Sequence, residues 1–182
     1  RTALGAVSHS SPSRSRQGSE GDETGVDPGR IKVGVGELAV ATNGETLTTS
    51  GLGSCVAVGL VDRDAEVHGL LHAMLPSEDD ARSATARPAK DVDAGIETLI
   101  ERLRRSGASA GRLEARIAGG AEMLDLTDAV GPRNVERAEA SLAAADVPIV
   151  ASDVGDGVGR TVQLRADGGL VVRAADGFER TL

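Results

Sequence analysis

Aromatic side chains are almost missing from this chain: it has no tryptophan, no tyrosine and one phenylalanine, Phe178. Lysine is nearly missing too, occurring only at Lys32 and Lys90, so most of the positive charge is arginine. Nucleic-acid binding calls for stacking faces and a basic track, and a chain of net charge −8 offers neither. The single cysteine, Cys55, excludes an intramolecular disulfide and gives no reason to expect an oxidising compartment. No apolar run approaches the roughly 20 residues of a membrane-spanning helix. Arg1–Val7 is too short an apolar stretch for a secretory leader. These absences set the expectation of a cytoplasmic protein with no nucleic-acid partner and no insertion into membranes. Acidic residues are spread along the chain rather than gathered in a tail, which keeps the surface soluble by self-repulsion.

Residues 1–30 read as a disordered extension. Ser8–Arg16 is rich in serine, proline and arginine, and Gly18–Gly29 is glycine-rich and acidic. Neither stretch buries enough apolar area to offset the ordering of its backbone. His9 lies there with no expected role. Order is expected over 31–182. Ile31, Val33 and Val35 alternate as one buried face of a strand, Glu37–Ala41 forms another, and Asn43-Gly44 turns the chain into Glu45–Thr49. Val56–Val61 and Val67–Leu75 are strands joined by the polar turn Asp62-Arg63-Asp64, followed by a surface loop from Ser77 to Pro88. Val92, Ile96, Leu99, Ile100 and Leu103 recur at helical spacing, with Gly107 as the stop. A strand over Leu113–Ile117, a helix over Arg133–Ala145, and strands over Val147–Ser152, Thr161–Arg165 and Leu170–Ala174 complete the chain. Hairpin-like strands with two long helices inserted predict an α+β fold rather than a doubly wound parallel sheet.

The chemistry centres on Thr49-Ser50-Gly51-Leu52-Gly53-Ser54-Cys55 and on Leu70-Leu71-His72-Ala73-Met74-Leu75-Pro76. A lone cysteine and a distant histidine form a candidate nucleophile and base when the fold joins them. Adjacent strands joined by a short turn would do so for Cys55 and His72. Glycines before Cys55 leave backbone N–H groups free to turn toward a ligand, as an oxyanion site requires. The competing reading makes both residues core: free cysteine behaves as a small hydrophobe, and histidine in an apolar strand is often only a satisfied interior residue. Zinc is not expected, because Cys55, His68 and His72 lack a fourth ligand and the histidines are spaced for a helix within a strand. His68 reads as a surface residue. Gly155-x-Gly157-x-Gly159 lacks the spacing and following helix of a dinucleotide site, so no cofactor is expected.

These motifs together resemble the chemoreceptor glutamine deamidase family, CheD. Thr49–Cys55 and the His72-x-Met74-Leu75-Pro76 run are followed by Gly119-Gly120-Ala121, Gly131-x-x-Asn134 and Asp153-Val154-Gly155-Asp156-Gly157-Val158-Gly159-Arg160 in the family's order. The chain departs from the family pattern at Ala73 and Ala118, where an aromatic residue is usual, and at Asp156, where glycine is usual. The resemblance implies a sandwich of mixed β-sheets flanked by helices. It implies Cys55 as nucleophile, His72 as base and Thr49 as the third polar member; the backbone freedom of the turn before Cys55 puts Gly53 and Ser54 at the oxyanion. The implied substrates are glutamines in the helical cytoplasmic region of methyl-accepting chemotaxis receptors, converted to glutamate in adaptation, and the implied second partner is a CheC-type phosphatase. The alternative is a weakly catalytic or non-catalytic adaptor binding the same partners. Asn134, Gly119, Gly120 and Arg160 read equally well as structural residues, Arg160 in a surface ion pair.

Overall fold

The computed structural model describes residues 28–77, 87–123 and 129–182; the expectations for the N-terminal extension and for the loop after Ser77 fall largely outside them. The first strands are β1 (Arg30–Lys32), β2 (Glu37–Ala41), β3 (Thr46–Leu52), β4 (Val56–Asp62) and β5 (Val67–Ala73). Then come helix α1 (Val92–Arg105), β6 (Glu114–Gly119), helix α2 (Val130–Ala144), β7 (Ile149–Val154), β8 (Arg160–Leu164), β9 (Leu170–Ala174) and β10 (Glu179–Thr181). They build two five-stranded sheets, ordered β1-β3-β8-β9-β10 and β2-β5-β4-β6-β7. Two pairings, β1 with β3 and β6 with β7, are parallel and the rest antiparallel. The expected α+β sandwich of mixed sheets is therefore what the chain forms, with both helices on the outer face of the second sheet.

Strand alternation explains the layers. In β4, Val56, Val58 and Leu60 face the helices, where they pack with Leu71, Ile96, Leu99, Leu103 and Leu142. Ala57 and Val61 face the other sheet and pack with Leu47, Leu70, Val162, Leu164 and Val172. All seven residues of β4 and all seven of β5 are buried, because a sheet covered on both faces has no wet side. The helical spacing read from Val92, Ile96, Leu99 and Leu103 is the buried stripe of α1, which the left-handed Gly107 (φ +105°) follows as anticipated.

Some expectations shift. The first strand stops at Lys32, and Val35 is 49% exposed, because a turn at Gly34–Gly36 interrupts the alternation. Gly36 there has φ +70° and the Glu37 carboxylate accepts from the Gly34 N–H at 2.9 Å. Asn43-Gly44 does turn the chain, carrying it from one sheet to the other. Helix α2 begins at Val130, ahead of Arg133, with Pro132 in its first turn, where a missing N–H costs nothing. β10 was not foreseen: its three residues are exposed and polar, and only pairing with β9 makes them a strand.

Candidate active site

Thr49 lies on β3 of the first sheet and His72 on β5 of the second, so the two meet in the layer between sheets. Thr49 Oγ1 is 2.7 Å from His72 Nδ1, and both residues are almost wholly buried. A bulge follows immediately. Thr49 pairs with Val162 and Leu52 with Arg160, so β3 carries one residue more than β8 over this span. Strict alternation would turn Leu52 outward; the extra residue, with Gly51 at φ +74°, returns it to the core. The chain then reverses through Gly53 and Ser54 to Cys55 at the head of β4.

β4 and β5 form the anticipated hairpin, in which Ala57 is directly opposite His72. Cys55 precedes Ala57 by two residues, just ahead of β4, and packs against the intersheet cluster, the side of the sheet on which His72 meets Thr49. Burial pushes the Cys55 thiol above its ordinary range, its own backbone N–H pulling weakly the other way. Burial likewise holds the His72 imidazole below its usual value. Both effects favour the uncharged forms, the thiol of Cys55 and the neutral imidazole of His72. His72 Nε2 is buried and has no hydrogen-bond partner among the described residues.

The carbonyls of the turn are all held. Ala121 N donates to Gly53 O at 2.8 Å, Gly120 N to Cys55 O at 2.8 Å, and Asn134 Nδ2 to Ser54 O at 2.8 Å. The Gly53 N–H donates to Gly51 O at 3.1 Å, whereas those of Ser54 and Cys55 donate no turn or loop bond among the described residues. This arrangement can supply a nucleophile and two backbone donors from one short turn, and a base from β5.

Residues 74–174 match the sequence model of the family described as "CheD chemotactic sensory transduction". The chain belongs to the CheD family. Among similar proteins is one from Haloarcula marismortui named "Probable chemoreceptor glutamine deamidase CheD", 43% identical over 159 residues, or 85% of this chain and 91% of that protein. "Chemoreceptor glutamine deamidase CheD" of Thermotoga maritima is 40% identical over 150 residues, 81% of this chain and 94% of that protein. The family match begins at Met74, two positions after His72, and so stands independently of Cys55 and His72. The two CheD relatives cover enough of the chain that their matches necessarily run across positions 49 to 72.

Other residues singled out from the sequence are placed as follows in this CheD chain. His68 is not at the surface: it is 1% exposed, and its Nε2 donates to the Glu45 carbonyl at 2.7 Å across the sheets. Alternation along β5 puts it on the face of His72, which the two-sided burial of that strand conceals in the sequence. Arg160 also lies inside. It donates twice to Asp153 Oδ1, at 3.1 and 2.9 Å, and to the carbonyls of Gly155 and Val158, each at 3.0 Å. Burial raises the Asp153 carboxyl, but bonds from Arg180 and Arg160 outweigh it and leave the group below its ordinary range. The loop so fixed receives the Glu122 N–H at Asp156 O, 2.8 Å, and thereby braces the segment beside the Cys55 turn. Ala73 and Ala118 are fully buried, in the helix-side and intersheet clusters respectively. Among the described residues no cluster of histidine, cysteine and carboxylates could hold a metal, and no helix is long and apolar enough to cross a membrane.

Proposed function

We propose that this protein deamidates selected glutamine side chains of methyl-accepting chemotaxis receptors, acting in the cytoplasm as part of adaptation. The observation that carries this reading is the Thr49–His72 hydrogen bond across the sheets, together with a cysteine-bearing turn in which the Ser54 and Cys55 N–H groups donate no turn or loop bond among the described residues. When His72 Nδ1–H donates to Thr49 Oγ1, Nε2 is left bare as a base, and the threonine holds the ring as a triad carboxylate would, without its charge. Nε2 takes the Cys55 proton as sulfur attacks the glutamine carboxamide carbon. The N–H groups of Ser54 and Cys55 stabilise the oxyanion, in a turn whose shape Gly53 permits. The tetrahedral intermediate collapses with the imidazolium proton passing to the leaving nitrogen, which departs as ammonia and leaves a thioester. Water, deprotonated by His72, attacks the thioester; sulfur leaves and is reprotonated, and the side chain becomes glutamate.

Relatives named as chemoreceptor glutamine deamidases support the substrate class. A CheC-type phosphatase is proposed as the second partner. Mass spectrometry on a cognate receptor's cytoplasmic fragment tests the reading. Incubation with the protein is expected to convert glutamine to glutamate at discrete sites, and Cys55→Ala is expected to convert none. If neither form converts while both still bind receptor, the protein acts as an adaptor.

A further inference from the structure

The hairpin that carries Cys55 and His72 is open at the end where they sit. Its last rung pairs Val56 with Ala73. Beyond it the strands part: Met74 N donates to Lys90 O at 2.8 Å, and Gly120 N turns to Cys55 O. Asn134, from the second turn of α2, reaches into this gap with its whole side chain buried. Its amide nitrogen donates to Ser54 O at 2.8 Å and to Met74 O at 3.0 Å. Those carbonyls belong to the residue just before Cys55 and the residue two after His72.

The reach of Asn134 depends on close approach of the helix. A Cβ on Gly131 would lie 2.3 Å from Ala121 O, and one on Gly120 would lie 2.3 Å from Val135 Cγ2. Two glycines therefore let α2 press its first turns against the strand end that follows β6. The Asn134 carbonyl oxygen is buried there with no partner among the described residues.

We propose that Asn134 is a positioning residue for the thiol–imidazole pair: its amide replaces the missing rung of the hairpin and sets the spacing of Cys55 and His72. This rests on the pairing of those two residues proposed above. A single NH2 with both protons committed ties the Ser54 carbonyl to the Met74 carbonyl where the ladder between the two strands has ended. Small errors in the spacing of a proton donor and acceptor reduce proton transfer steeply.

The test follows the rate of Cys55 alkylation by iodoacetamide against pH on the full chain, which needs no receptor. Four variants are compared: Asn134→Ala, His72→Ala, their double variant, and Leu142→Ala, which removes a buried side chain of the same helix away from the site. Unfolding midpoints are recorded for each. Asn134→Ala is expected to slow alkylation near neutral pH about tenfold or more and to take on the pH profile of His72→Ala. The double variant is expected to be no slower than His72→Ala. Leu142→Ala, though destabilised, is expected to keep the parent profile. In deamidation, kcat of Asn134→Ala falls while KM stays. Where Asn134→Ala does not fold, the same comparison is read on Asn134→Ser. Alkylation by the Asn134 variant that matches the parent or Leu142→Ala overturns the proposal. A parent profile in His72→Ala overturns the underlying Cys–His pairing, and the positioning role with it.

Discussion

Two histidines lie on one face of one strand, and their partners give them different work. His68 spends Nε2 on a backbone carbonyl, while His72 spends Nδ1 on the Thr49 hydroxyl and has no partner for Nε2 among the described residues. Burial holds the His72 imidazole below its ordinary 6.5 and the Cys55 thiol above its ordinary 9.0. As the proposed base, His72 works only unprotonated, so kcat/KM is expected to hold below pH 6.5 and to fall only as pH drops through the lowered His72 value; steady-state rates across acid pH check this. The same shift acts on stability. Below 6.5 the unfolded chain binds a proton that buried His72 refuses, so the stabilisation present above that pH is lost on acidification toward the folded value. Replacing His72 with asparagine is expected to flatten the urea midpoint over that range.

At the scale of elements, the site is where regular structure gives out. The β3 bulge, the open end of the β4–β5 hairpin, the last residue of β6 and the first turns of α2 converge on the turn around Cys55. Gly119 marks how tightly they converge. It has φ +102°, and a Cβ there would stand 2.4 Å from the Cys55 carbonyl oxygen. Gly119→Ala is therefore expected to destabilise the fold by about 2 kcal/mol or more, from the strained dihedral and the clash together. It should also depress alkylation of Cys55 through displacement of the turn. Urea unfolding and the alkylation rate measure the two effects separately. The corresponding change at Gly107, where a Cβ meets nothing within 4 Å, carries only the dihedral strain.

For the whole molecule, the Thr49–His72 bond is a bond between sheets, and it lasts only while the intersheet core holds them in contact. That core is aliphatic: Leu47, Leu52, Leu70, Val162, Leu164, Leu170 and Val172, with no aromatic residue among them. Small side chains such as Ala57 and Ala118 let the layers approach. Truncation of Leu164 to alanine is expected to cost about 2–5 kcal/mol, the range for a fully buried leucine. A lowered urea midpoint with an unchanged slope would verify it.

Most of the fold was legible in the sequence because it follows local periodicity. The stripe of α1, the paired strands around Asp62-Arg63-Asp64 and the α+β class all rest on side-chain alternation and turn chemistry. β10 was not legible, since three exposed polar residues become a strand only when β9 offers an edge. Val35 shows the opposite error, an alternation ended by a turn. For the site, residue types and motif order pointed to Cys55, His72 and Thr49. Burial on both faces of β5 made His68 and His72 indistinguishable by pattern. Asn134 and Arg160 carried no local mark of being inside. The sequence by itself determined the elements and the cysteine and histidine available for chemistry, because these follow from neighbours along the chain. Only the tertiary structure decided which histidine meets a threonine, where the hairpin opens and what spans the gap, because those contacts join residues far apart in sequence.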